Sequence, residues 1–112
     1  MKKTLLHLRL ESTTYGTLSI SGCNLHTRSK NKRKLIMTVL DRFNVGWKLV
    51  DKNGISATFE ATVDYDVIKV LNTIKYIPRV DKKLIERWKK LSINEIVSEA
   101  EAILIASKLS KQ

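Results

Sequence analysis

The chain has 112 residues, of which 43% are hydrophobic and 29% are charged, with four Gly and one Pro. This length accommodates one ordinary domain, and this composition excludes a disordered or fibrous chain. The 21 Lys and Arg residues against 11 Asp and Glu give a net charge of +10, so the long-range field of the protein attracts polyanions. We therefore expect a single domain over residues 1–112, with a nucleic acid as the favoured partner.

The single cysteine and the amino-terminal segment indicate the cellular compartment of the protein. Cys23 has no second cysteine with which to form an internal disulfide, which is typical of proteins from reducing compartments. The apolar stretch that begins at Leu5 is interrupted by His7 and Arg9, which argues against a signal peptide. The longest strictly apolar run elsewhere, residues 102–106, is far shorter than the ~20 residues that cross a bilayer. We expect a cytoplasmic protein that does not span a membrane.

The first residues of the chain predict a pair of strands. Apolar residues recur at every second position from Leu6 to Leu10, which is the period of a half-buried strand. After a polar, turn-forming stretch from Glu11 to Thr14, alternation resumes between Tyr15 and Cys23. Because the two strands are neighbours in sequence, we expect them to pair as a hairpin.

The apolar spacing then changes from that of a strand to that of a helix. The helix is expected to begin at Asn31 and to end at Asn44 and Gly46, which favour a helix terminus. Its apolar stripe consists of Leu35, Ile36, Val39, Leu40 and Phe43.

A second hairpin is predicted between residues 45 and 63. The turn Asp51-Lys52-Asn53-Gly54 fits a type I turn with Gly54 in the left-handed region, which gives a three-residue loop. A two-residue loop at Asn53 and Gly54 would place Lys48 opposite Phe59, so we prefer the three-residue loop. In that register one face carries Trp47, Leu49, Asp51, Ile55, Ala57 and Phe59, and both large aromatic side chains are buried.

Three further helices are predicted in the rest of the chain. Asp64 and Asp66 are cap candidates for the first, which ends before Pro78. Asp81 caps the second, and a capping box from Ser92 to Glu95 begins the third. The inward-facing residues of the three helices are Val67, Leu71 and Ile74, then Leu84, Ile85, Trp88 and Leu91, then Ile96, Val97, Ala100, Ile103 and Leu104.

The order of these elements predicts the fold class. Two strand-strand-helix units are followed by two more helices, which is the order ββαββααα. We expect an α+β fold with a four-stranded antiparallel sheet and the helices packed on one face of that sheet.

Positive charge is concentrated at the start of the first helix. Residues 1–34 carry eight positive and one negative charge, whereas residues 35–80 carry six and five and residues 81–112 carry seven and five. Cations at a helix start face partly positive N–H groups at a cost of about 0.3 to 1 kcal/mol each, which a bound phosphate would offset. We therefore predict that phosphates bind a cluster, named here the 28–34 cluster, of Arg28, Lys30, Lys32, Arg33 and Lys34. The alternative is a solvated basic loop that binds nothing.

A second basic group lies on the penultimate helix. At about 100° per residue its cations occupy the arc opposite the apolar side, with only Glu86 among them. These residues, named here the 82–90 face, are Lys82, Lys83, Arg87, Lys89 and Lys90. We predict that they widen the nucleic-acid footprint. The alternatives are an ordinary amphipathic surface helix and a membrane-surface helix, although the latter usually exposes a larger apolar face.

Other groups of residues in the sequence give only weak indications of a function. The last two helices do not predict a helix-turn-helix, because the reading helix would be acidic and has no cation before Lys108. Cys23 and His26 have C-x-x-H spacing, but two ligands are too few for a zinc site, so we expect a buried cysteine. His7 and His26 permit a nuclease-like acid and base pair, as any two histidines do. We expect a binding protein with no catalytic site, metal or cofactor.

The aromatic residues favour duplex DNA over RNA as the partner. Tyr15, Tyr65 and Tyr76 are candidates for stacking on bases, but the aromatic-on-sheet signature of an RNA-recognition motif is missing. The other large aromatics fall on apolar stripes and are expected in the core: Phe43, Trp47, Phe59 and Trp88. We predict an accessory or regulatory factor that binds duplex DNA through phosphate contacts. The alternative is a protein-interaction module that inhibits or adapts a larger host machine, as proteins of mobile elements do.

Overall fold

The computed structural model describes residues 3–11, 17–21, 23 and 25–110. The described elements follow one another along the chain in the order βββαββααα. Their bounds are β1 Lys3–Glu11, β2 Thr17–Ser21, β3 Leu25–Thr27, α1 Lys30–Arg42, β4 Lys48–Asn53, β5 Ser56–Asp64, α2 Tyr65–Ile74, α3 Lys82–Lys90 and α4 Ile93–Ser110. Most of the predicted turn at 11–14 and the start of the predicted second strand, at Tyr15, lie outside the described residues.

The sheet has five antiparallel strands in the order β3-β2-β1-β5-β4. The α+β class is therefore confirmed, and the four-stranded sheet and its ββαββααα order are wrong. The additional strand, β3, pairs with β2 so that Leu25 lies opposite Ile20. A strand of three residues is too short to show a period of two, and its backbone hydrogen bonds come from β2, so the sequence alone did not predict it.

The two faces of the sheet differ as the alternation in β1 predicts. Leu6 and Leu8 are buried in the same core as the apolar residues of the helices. On the opposite face, Leu5 and Arg9 are exposed and His7 is half-buried. The central position of β1, between β2 and β5, puts these leucines in the middle of the core.

The hairpin of β4 and β5 has a different register from the predicted one. Asn53 pairs with Ser56, so the loop has two residues, Gly54 and Ile55, and the three-residue loop is wrong. Gly54 has a φ of 60°, as predicted, and glycine at the first loop position suits the twist of a two-residue hairpin.

A β-bulge between Leu49 and Asp51 shifts the register of this hairpin by one residue. With the bulge, Leu49 lies opposite Phe59 and Lys48 lies opposite Glu60. The pairing of Lys48 with Phe59 does not arise, because the loop lies one residue later than the Asn53 and Gly54 loop considered above. The predicted burial of this face is only partly right. Phe59 and Trp47 pack at the border of the core, whereas Leu49 is 50% exposed.

Substitution of Gly54 tests this turn. A Cβ atom at Gly54 would meet no heavy atom within 4 Å, so the cost of a side chain there comes from the positive φ alone. We expect Gly54→Val to lower the free energy of unfolding by roughly 1 kcal/mol or more, because β-branched residues are strained at positive φ. Gly54→Asn is the control, since Asn tolerates this conformation and should cost less. Thermal melts of both variants measure the difference, and equal melting temperatures would contradict the turn.

The helix termini are set by local capping, largely as predicted. The Asp81 carboxylate accepts a hydrogen bond from the Leu84 N–H at 2.9 Å. In the capping box, the Ser92 N–H donates to the Glu95 carboxylate at 3.2 Å and the Glu95 N–H donates to the Ser92 hydroxyl at 3.3 Å. The bond from the Ser92 backbone lowers the pKa of Glu95, and the Ser92 hydroxyl adds to this effect. Asp64 occupies the N-cap position of α2 without a side-chain capping bond.

The end of α1 also follows the prediction. Asn44 has a φ of 53°, in the left-handed region that Asn tolerates. The Asn44 and Val45 N–H groups donate to the carbonyls of Asp41 and Leu40, each at 3.0 Å. The chain therefore leaves the helix at Asn44 and turns toward β4.

The helices pack in pairs, with α3 beside α1 and α4 beside α2, and α2 also packs against α1 and against strands β1 and β5 of the sheet. Trp88 of α3 is fully buried, and Arg42 at the end of α1 donates from Nη2 to the Leu91 carbonyl at 2.6 Å. These contacts hold α3 along α1, and this pairing places the two predicted basic segments on neighbouring helices. None of the helices in the described part of the chain combines the length and the apolar character needed to cross a membrane.

Candidate nucleic-acid interface

The 28–34 cluster lies on the first turns of α1. Ser29 is the N-cap residue, and its hydroxyl accepts a hydrogen bond from the Lys32 N–H at 3.2 Å. The Ser29 N–H in turn donates to the Thr27 hydroxyl of β3 at 3.0 Å. The helix thus begins at Lys30, two residues after β3 ends. Four of the five cations are therefore helical, and only Arg28 precedes the helix.

Within the described residues, none of the ion pairs involves a cation of the 28–34 cluster. The first turn of α1 contains no acidic residue, whereas that of α2 contains Asp66 and that of α4 contains Glu95. Arg28, Lys30 and Lys34 are exposed to solvent. Negative charge stabilises a helix start and positive charge destabilises it, so this end of α1 is a favourable position for an anion.

The 82–90 face has the predicted orientation. All five of its cations are exposed, whereas Ile85 and Trp88 on the other side of α3 are buried. Arg87 forms an ion pair with Glu99 of α4 at 3.3 Å, and Lys89 forms one with Glu86 at 3.4 Å. Lys89 and Glu86 are both more than half exposed, and pairs of that kind contribute little free energy and leave the cation accessible.

The two basic segments meet at one groove. A cavity of about 650 Å³ lies between α1, α3 and β5. Arg33 and Lys34 border it from α1, and Lys89 borders it from α3. The other four cations of the 82–90 face line a shallower groove along α3 itself: Lys82, Lys83, Arg87 and Lys90. The structure therefore joins part of each predicted segment at one groove.

The weaker candidates have local structural roles. The His7 Nε2 atom lies 3.1 Å from a carboxylate oxygen of Glu60 on the outer face of the sheet, and His26 lies on β3, separated from β1 by β2. Cys23 is buried, as predicted, and burial raises the pKa of its thiol. Within the described residues, His, Cys, Asp and Glu side chains do not gather in threes at any point where they could hold a metal ion.

The aromatic residues divide as the sequence indicates. Trp88 is fully buried, and the other three predicted core aromatics pack against the core while remaining partly exposed: Phe43, Trp47 and Phe59. Tyr65 and Tyr76 are exposed at the groove between α2 and α4, and Tyr15 lies outside the described residues. Neither Tyr65 nor Tyr76 lines the groove that Arg33, Lys34 and Lys89 border.

Sequence reasoning did not single out Met37, and it placed Ile55 on the apolar face of the hairpin that was expected to be buried. Met37 of α1 and Ile55 of the hairpin loop are exposed in the groove between α1, α3 and β5, above Phe59 and Ala57 of β5. Met37 falls off the apolar stripe of α1, which is the one signal of its role that the sequence contains. The meeting of the loop with the helix follows from the sheet topology and has no local pattern.

Comparisons of the chain with protein-family models, with curated proteins and with solved structures find no match. Any function for this fold is therefore argued from its own geometry and charge.

Proposed function

We propose that this protein binds nucleic acid, with duplex DNA favoured over RNA, and acts as an accessory or regulatory factor through phosphate contacts, not as an enzyme. The observation that carries the proposal is the position of the 28–34 cluster at the start of α1, without a carboxylate in the first turn. Backbone N–H groups at a helix start and nearby Lys and Arg side chains are groups that favour a bound phosphate, which supports the proposal.

The arrangement of α3 supports a footprint larger than one phosphate. Because α3 packs beside α1, Lys89 borders the same groove as Arg33 and Lys34. The remaining cations of the 82–90 face continue the positive surface along α3. Phosphates recur along each DNA strand, so cations spread over two neighbouring helices engage several of them together.

The proposal is tested by the salt dependence of binding to a random-sequence DNA duplex, measured by fluorescence anisotropy. If five phosphates are neutralised, the logarithm of the association constant should fall with the logarithm of salt concentration with a slope of about −4.5. An acidic protein serves as the control polyanion, and a single strand and an RNA duplex test the preference for duplex DNA. Equal affinity for the acidic protein and the duplex would favour the protein-interaction module, and no binding to DNA at low salt would refute the proposal.

Charge reversal on α3 tests the second part of the footprint. We expect replacement of Lys83, Arg87 and Lys90 by Glu to weaken duplex binding by about tenfold or more, because each site changes from attracting to repelling phosphate. The fold should survive, since all three side chains lie on the exposed side of α3. Anisotropy gives the affinity, and circular dichroism checks the fold.

A variant of the acidic helix α4 removes negative charge and tests the opposite effect on duplex binding. Glu99 pairs with Arg87 and Glu101 pairs with Lys69, so changing both glutamates to Gln frees two cations. Duplex affinity should stay equal or rise slightly. If loss of the glutamates abolished binding while charge reversal on α3 had no effect, the acidic helix would be the interface, and the protein-interaction alternative would replace the nucleic-acid proposal.

A further inference from the structure

We infer that the groove between α1, α3 and β5 binds an acidic, amphipathic peptide segment of a partner protein. Apolar side chains of that segment would enter the groove, and its carboxylates would meet the cations at the rim. This inference does not depend on the proposed nucleic-acid function, although Arg33, Lys34 and Lys89 belong to both surfaces.

The floor of the groove is apolar and accessible. Met37 is 39% exposed and Ile55 is 61% exposed, and Phe59 lies half-buried below them. Water in contact with these side chains is displaced favourably when another apolar group covers them. Methionine is unbranched and polarizable, and it is frequent at surfaces that adapt to different partner side chains.

The rim of the groove selects an anionic occupant. Arg33, Lys34 and Lys89 border it, and the described lining contains no carboxylate. Among the described residues, the one ion pair of these three cations joins Lys89 to Glu86 at 3.4 Å, and both of its side chains are more than half exposed, so it contributes little. An occupant with carboxylates spaced around apolar side chains would satisfy both the rim and the floor.

The size and chemistry of the groove favour a peptide over other occupants. Its volume of about 650 Å³ lies within the range of roughly 300 to 1,000 Å³ that buries most of a bound ligand, so it admits more than one side chain. A nucleic-acid base would need exposed aromatic platforms, whereas the exposed members here are Met37 and Ile55, which cannot stack. A second copy of this chain carries the same +10 charge and is repelled.

The test uses a fluorescein-labelled synthetic peptide in which Leu and Phe alternate with Glu, and a matched peptide with Ala in place of Leu and Phe. Anisotropy with the full chain should give about tenfold tighter binding of the Leu and Phe peptide, because an apolar anchor in a pocket carries much of the binding energy. Equal binding of the two peptides would mean that charge alone is recognised, and it would overturn the inference.

Paired variants locate the binding site. Met37→Gln combined with Ile55→Gln removes the exposed apolar surface without changing charge, and it should weaken peptide binding about tenfold. The matched control is Ile93→Gln combined with Ile105→Gln, because both residues are exposed on α4, away from the groove. Equal losses in the two double variants would overturn the inference.

A parallel titration with the DNA duplex separates this inference from the proposed function. The Met37 and Ile55 double variant should bind the duplex as the unmodified protein does, because no cation has changed. Peptide binding without duplex binding would support the groove and refute the nucleic-acid proposal. Duplex binding without peptide binding would refute the groove and leave the nucleic-acid proposal standing.

Discussion

Replacement of Arg28, Lys30, Lys32, Arg33 and Lys34 by Gln should weaken binding to a DNA duplex by about 10²-fold or more near 0.1 M salt. Each lost phosphate contact reduces the salt slope by up to about 0.9, because fewer counterions are released on binding. The decrease in slope counts the contacts that the cluster makes. Titrations of the variant and the unmodified protein at several salt concentrations measure both quantities.

The control for this variant removes the same charge elsewhere. The chain offers five cations that belong to neither basic segment, on β4, on α2, at the C-cap of α2 and on α4: Lys48, Lys52, Lys69, Lys75 and Lys108. Changing these five to Gln lowers the net charge equally, so a much smaller loss of affinity is expected if position matters more than total charge. Equal losses in the two variants would mean that the cluster is only a solvated part of a diffuse positive field.

The 28–34 cluster variant also carries a prediction about stability. Five cations near the partial positive charge of a helix start are unfavourable in the free protein, and Gln removes this repulsion. The melting temperature should therefore stay equal or rise slightly while affinity falls. A fall in both quantities would show that the cluster contributes to the fold, and the loss of binding would then need no phosphate contact.

Trp88→Ala should lower the free energy of unfolding by about 3 to 5 kcal/mol. Trp88 is fully buried on the side of α3 that faces the core, so its removal loses a large apolar contact and leaves a cavity. Because α3 packs beside α1, the loss also weakens the attachment of the 82–90 face. Chemical denaturation followed by circular dichroism measures the change.

Trp88→Phe separates the effect of lost side-chain volume from the effect of losing the buried indole N–H. The Trp88 Nε1 atom is buried and has no hydrogen-bond partner among the described residues. Phe removes that unsatisfied donor, which offsets part of the lost volume, so we expect a much smaller effect than that of Ala. Leu84→Ala on the same helix is the control, since Leu84 is only half-buried. A Phe variant as unstable as the Ala variant would indicate that the indole N–H contributes an interaction of its own.

Helix boundaries and helix faces were predictable because their causes lie within a few residues. The cap at Asp81, the capping box from Ser92 to Glu95 and the left-handed Asn44 each depend on groups no more than five positions away. The positive cluster at the start of α1 is local in the same sense. The sequence by itself therefore determined the helices, their buried faces and the position of the largest charge.

Only the tertiary structure decided where these elements meet. β3 exists because β2 supplies its hydrogen bonds, and the bulge between Leu49 and Asp51 depends on pairing with β5. The groove brings Arg33 of α1, Ile55 of a loop and Lys89 of α3 together across 56 positions of sequence. Contacts over such distances depend on strand register and helix packing, and these leave no periodic pattern in the chain. The positive charge and the apolar stripes are thus visible in the sequence. The packing of α3 beside α1 brings them together as a groove with a cationic rim.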